Sequence, residues 1–181
     1  MNIKSRALMI GAGVAAAIQI LISICGQLVT YLTFDPALYD PNTLAANPES
    51  ALGVLGATSA VSFVICCVAL LTDIVGGYLY SHFHANEDPL LQMQDGLVGG
   101  AVTGMVARLI SGLFGACVGL IVTPLLMADL YAQIPGGEAA LAGGAIGGAF
   151  GGIFGICLGL FLGLFLGAIG GAIGASVRGR K

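Results

Sequence analysis

The sequence predicts an all-α integral membrane protein, a single membrane domain over residues 1–181 built as a bundle of four membrane-crossing helices. Three observations lead there. Of the 181 residues 57% are hydrophobic and 8% charged, whereas a soluble domain carries about 25% charged residues. The mean hydropathy is +1.01, and the apolar residues fall in runs longer than the roughly 20 needed to cross hydrocarbon. Nearly all polar residues and prolines gather between those runs, which cover residues 7–34, 51–83, 97–134 and 139–177.

The first run follows Lys4 and Arg6. It is longer than a signal-peptide core of about 7 to 15 residues, and Ile24 is bulky where a cleavage site before Cys25 wants a small residue, so the run reads as a span. Gly11, Ala15, Gln19, Ser23 and Gln27 recur every four residues, which turns the amides inward toward hydrogen-bond partners. The connection that follows, residues 35–50, holds Asp35, Pro36, Asp40, Pro41, Pro48 and Glu49 and no Lys or Arg.

The second run contains Asp73 and ends in aromatics, with Tyr78, Tyr80 and Phe83 expected at one membrane interface and Tyr31, Phe34, Tyr39 and Tyr131 at the other. His82 and His84 with Glu87 and Asp88 form a polar cluster at its end. Their spacing matches no metal motif, so interfacial solvation is the expected role. The third run contains Arg108, with Gly104 and Gly112 on either side at helical spacing and room there for a long side chain. Beside them runs a second small-residue row: Gly99, Thr103, Ala107, Ser111, Gly115 and Gly119. Pro124 is expected to kink the helix near its far end.

Residues 135–138, Pro-Gly-Gly-Glu, make a tight turn into the fourth run. There Gly143, Gly147, Gly151, Gly155, Gly159, Gly163, Gly167 and Gly171 recur every fourth residue, an extended glycine zipper. Lipid supplies no hydrophobic push between helices, and glycine lets two backbones approach. A period of four against 3.6 residues per turn rotates the row about 40° per step, so one partner helix cannot cover it. As one straight helix the run reaches about 58 Å, twice the hydrocarbon thickness, so it tilts, protrudes or doubles back as a re-entrant hairpin.

Asp73 lies 10 residues before Phe83, and Arg108 lies 11 after Leu97. On adjacent antiparallel helices those are matching depths. Because a lone charge near the bilayer centre costs at least about 2.5 kcal/mol, the two are expected to form an intramembrane ion pair, as a structural lock or as part of a proton or ion pathway. The cysteines, Cys25, Cys66, Cys67, Cys117 and Cys157, all fall in apolar runs and are expected as small packing residues rather than disulfides or ligands.

A shift of 89 residues lays the first hairpin on the second and aligns Gly11 with Gly100, Ala12 with Ala101, Gly26 with Gly115 and Asp40 with Asp129. A tandem repeat of a two-helix unit is one reading, and chance matching in so biased a composition is the other. The positive-inside rule, applied to Lys4, Arg6, Arg178, Arg180 and Lys181, places both termini in the cytoplasm.

The net charge of −3 argues against a nucleic-acid partner. No Ser-His-Asp set, His-Glu-x-x-His or phosphate-binding loop occurs, so neither an enzyme activity nor a cofactor is expected. The partners expected are the lipid bilayer and other transmembrane helices, of this chain or of another subunit. The leading expectation is a packing or assembly subunit of a membrane complex. The alternative is a small transporter or channel built on Asp73 and Arg108.

Overall fold

The computed structural model describes residues 4–33, 48–87, 93–122 and 137–178, with the backbone alone for 137–153 and for several residues near the ends of the other segments. Every element among them is helical: α1 (Ser5–Thr33), α2 (Pro48–Glu87), α3 (Met93–Cys117), a π-helical turn (Val118–Val122), and α4 (Gly137–Arg178). Four of these helices are long and apolar enough to cross a membrane.

Local chemistry accounts for the boundaries. Pro48 opens α2, where its missing N–H costs nothing because the first amides of a helix have no intrahelical acceptor. Asp95 sits in the first turn of α3, favoured there by the helix dipole. The α ladder of that helix gives way after Cys117 to the π turn, and the remainder of the third run, 123–134, lies outside the described residues. Pro124 follows closely in the sequence and has no N–H to extend a ladder; its own position lies outside the described residues, as do the connections 34–47, 88–92 and 123–136 with Tyr39 and Tyr131. The fourth run is one unbroken helix of 42 residues, about 63 Å long, rather than a re-entrant hairpin. No proline or polar breaker interrupts its backbone hydrogen bonds.

The most extensive helix contact is between α3 and α4, followed by α2 with α4 and α1 with α2. Apart from glycines, the buried residues among those described are small or polar, Ala7, Ala12, Ala15, Ala16, Ala107 and Ala175 with Gln19, Thr72, Asp73, Ser81, His84 and Thr103, together with the large Tyr80 ring. Large aliphatic and aromatic side chains such as Leu21, Phe63, Leu113 and Phe161 point outward. That distribution suits a lipid solvent, in which only close contact and hydrogen bonding reward burial.

The close contacts concentrate in the half of the bundle nearest the chain termini, here the terminal half. Between α3 and α4, a Cβ added to Gly100 would overlap the Gly167 carbonyl oxygen and stand 2.8 Å from Gly171 Cα. One added to Gly167 would overlap the Gly100 carbonyl oxygen and stand 3.0 Å from Gly104 Cα. On the α2 side, Gly170 lies against the Ile74 carbonyl, and Gly174 would bring a Cβ 2.7 Å from that of Ser81. Between α1 and α2, Gly11 and Gly76 approach each other, with Ala15 2.9 Å from a Cβ on Gly76.

The every-fourth glycines of α4 are used unevenly. Gly163, Gly167 and Gly171 face α3 closely, Gly159 meets only the Arg108 side chain at 3.8 Å, and Gly155 meets no described atom within 4 Å. The row turns about 160° between Gly171 and Gly155, which carries it off the α3 face. The surroundings of Gly143, Gly147 and Gly151 lie outside the described residues.

The cysteine expectation holds for the absence of disulfides and is corrected for packing within the chain. Cys25, Cys66, Cys117 and Cys157 are exposed, Cys67 is half-buried, and all five are free thiols. They sit away from the terminal half, beyond the region where small side chains are enclosed.

Candidate functional site

Where the close-packed half ends, four polar side chains from three helices meet. Asp73 of α2 is fully buried. Its Oδ1 accepts a hydrogen bond from Gln19 Nε2 of α1 at 2.6 Å, and its Oδ2 accepts one from Arg108 Nε of α3 at 2.8 Å. Ser111, one turn beyond Arg108, donates its hydroxyl to Gln19 Oε1 at 2.6 Å, with the Arg108 carbonyl 3.3 Å away as the poorer alternative. A hydroxyl has one proton, so the shorter contact holds it. The orientation of the Gln19 amide follows: a carboxylate needs the NH2 side, and a donating hydroxyl needs the oxygen side.

Arg108 approaches Asp73 along one edge. Its Nη2 is 2.7 Å from Oδ2, the same oxygen that Nε contacts, because Gln19 occupies the other. Nη2 makes no aligned hydrogen bond among the described residues. Its link to Asp73 is therefore an ion contact, while Nε supplies the directional bond. The side chain of Arg108 is 19% exposed and that of Asp73 0%. The carboxylate is thus sealed, and Nη2 of the guanidinium is buried with it, while the arginine side chain as a whole is partly exposed.

Room for the arginine comes from α4. A Cβ on Gly163 would stand 2.6 Å from Arg108 Cγ, and one on Gly159 3.8 Å from Cδ, so the aliphatic stem lies across these two glycines. The expectation that Gly104 and Gly112 admit the side chain is corrected, because Gly104 packs on the Gly163 backbone and Gly112 faces Ile156. Glycines of the arginine's own helix stack along its face, whereas its side chain crosses to the neighbour.

A second polar group lies toward the termini. The Tyr80 ring is fully buried and fills the space left by the missing side chain of Gly99. Its hydroxyl is 2.9 Å from His84 Nδ1. Ser81 donates to the Gly171 carbonyl of α4 at 2.7 Å, and Thr103 donates back to Gly99 at 2.7 Å. This corrects the interfacial reading of Tyr80; Tyr78 is the partly exposed one. The two histidines separate as residues two apart on a helix must. His84 is buried, while His82 stacks near Tyr78 and meets the Phe83 ring edge-on. The side chains of Glu87 and Asp88 lie outside the described residues, and no group of three metal-binding side chains converges among those described.

The sequence singled out Asp73 and Arg108 by charge and the inward face of Gln19 by spacing. It offered Ser111 only as a member of a small-residue row. No pattern in the sequence says that one carboxylate receives donors from two other helices, because that depends on how the three helices are arranged around it. Comparison of the chain with known protein families, with curated proteins and with solved structures returned no match.

Proposed function

We propose that this chain is a non-enzymatic, multi-pass membrane subunit that assembles, with copies of itself or with other subunits, through the distal half of its glycine-zipper bundle. The observation that carries the reading is the division among its glycines. In the terminal half the described glycines, Gly13 excepted, are consumed by contacts within the chain. Away from it, Gly26 and Gly112 each meet one side chain, of Ile65 and Ile156, whereas Gly53 and Gly56 of α2, Gly115 of α3, Gly119 of the π turn and Gly155 of α4 meet no described atom within 4 Å. Each glycine costs a helix about 1 kcal/mol relative to alanine, and in lipid the return comes from close helix approach. Glycines that meet no described atom of their own chain fit contacts made with another.

The positive-inside rule supports cytoplasmic termini. Helix order supports a duplicated two-helix unit, since the 89-residue shift carries the start of α2 at Pro48 onto the start of α4 at Gly137. Purification in mild detergent tests assembly directly. The expected result is a mass above that of the monomer or a co-purifying membrane partner, lost in Gly115→Leu and Gly155→Leu while helicity is retained. A monomer without partners, indifferent to both substitutions, overturns the reading.

A second reading, a small transporter or channel, is favoured by the two opposite charges, Asp73 and Arg108, set within helices long and apolar enough to cross a membrane. Substrate-dependent flux in proteoliposomes, abolished by Asp73→Asn in a variant that still folds, would favour it.

A further inference from the structure

Gln19 and Arg108 stand 89 residues apart, the same shift that aligns Gly11 with Gly100. They reach one carboxylate from two different helices, each taking one oxygen, at 2.6 and 2.8 Å. One helical turn closer to the termini, Ala15 precedes Gln19 and Gly104 precedes Arg108, and both are small residues at close helix contacts. Ser111, one turn beyond Arg108 on the same helix, holds the Gln19 amide through its bond to Oε1.

We infer that positions 19 and 108 are interchangeable donor seats around a shared acceptor, so that Asp73 rather than either donor is the positioning residue that sets α1 and α3 against α2. The positive charge that neutralises Asp73 belongs to the bundle and not to α3: a cation on α1 at position 19 satisfies the same carboxylate. The inference depends on the geometry of the two donors. It stands whether or not the hairpins share an ancestor and whether or not the chain assembles.

Electrostatics makes the claim specific. A buried carboxylate needs one neutralising cation and hydrogen bonds to its remaining lone pairs. Gln19 supplies only the second of these and Arg108 supplies both. With Arg108→Gln alone, Asp73 keeps a neutral donor on each oxygen but loses its counter-charge. Restoring the charge from α1 returns it to the same carboxylate, and the glutamine at 108 takes over the role of the neutral amide. The seats differ in one respect: the stem of Arg108 lies over Gly159 and Gly163, whereas the positions of α2 that the 89-residue shift matches to these are the bulkier Leu70 and Ile74. A slimmer lysine at 19 therefore complements arginine in the test.

The experiment uses the full chain, purified in detergent, with loss of helicity on heating and folded yield as readouts. The variants are Arg108→Gln, Gln19→Arg/Arg108→Gln, Gln19→Lys/Arg108→Gln, and each double with Asp73→Asn added. Arg108→Gln lowers the melting temperature, and at least one of the doubles recovers about half of that loss or more, as expected for coupled sites. Adding Asp73→Asn cancels the recovery, because the new cation then has no carboxylate to meet. Doubles no more stable than Arg108→Gln overturn the inference, and so does a recovery that persists without Asp73. Detergent-extracted mass, measured alongside, reports assembly independently of either result.

Discussion

The terminal and distal halves of the bundle belong to the same four apolar helices, yet they pack differently. In the terminal half, α3 and α4 meet backbone to backbone, and the buried side chains are alanines and hydrogen-bonded polar groups. In the distal half, the consecutive residues 59–64 of α2 are all exposed, so no side of that stretch is covered among the described residues. Hydrophobicity alone does not bury a side chain here, since Phe63 and Phe161 are as apolar as anything in the chain and face outward. The terminal half has small residues on facing helices at matching depth, together with polar groups that find partners. In a bilayer those two features bring helices together, because exposed apolar surface costs nothing.

The largest expected effect tests whether the backbone contacts hold the terminal half. Gly100→Leu or Gly167→Leu places a side chain on a main-chain atom that cannot move aside. Each should cost more than about 3 kcal/mol, the upper end of ordinary overpacking, and abolish folded yield. Gly155→Leu, in open space among the described residues, should leave the helicity and melting of the monomer unchanged. Equal damage at Gly155 and Gly167 would erase the distinction between the halves.

Next comes the network at their boundary. Asp73→Asn or Arg108→Gln strands one charge of a pair that is buried at the carboxylate, with an expected loss of about 3 to 5 kcal/mol. The double Asp73→Asn/Arg108→Gln should lose less than the sum of the singles, because the interaction is counted in both. Strictly additive losses in thermal melting would mean that the contact contributes nothing to stability.

A smaller effect is expected within the terminal half at Tyr80→Phe, which keeps the ring against Gly99 and removes only the hydroxyl facing His84. A cost of about 1 to 3 kcal/mol follows from leaving the buried imidazole without that partner, and a stability measurement paired with His84→Ala reports how much of it the pair shares. The smallest belongs to Leu158→Ala, at a side chain 52% exposed on α4. It should change stability by less than about 0.5 kcal/mol in detergent. A large loss there would show that the distal half packs in the monomer after all.

Composition and run length alone determined that this chain forms four helices long and apolar enough to cross a membrane, because an apolar run this long can satisfy its backbone in hydrocarbon only as a helix. Charge alone marked Asp73 and Arg108, since an unpaired charge at that depth is too costly. Spacing alone placed Gln19 on an inward face, but the same spacing pointed Gln27 inward too, and Gln27 is exposed because it lies beyond the close-packed half. The sequence had no means of choosing among its glycines: the row from Gly143 to Gly171 is uniform on paper, and only the placement of α3 beside α4 makes Gly163, Gly167 and Gly171 contact points while Gly155 turns away. Tyr80 looked interfacial because aromatic residues near the end of a span usually are, and the space at Gly99, on another helix, decided otherwise. Residue types and their periods act along one helix and are legible in order. Which oxygen of Asp73 meets which donor, and which glycine meets which backbone, depends on how helices are set against one another, and that is a property of the tertiary structure.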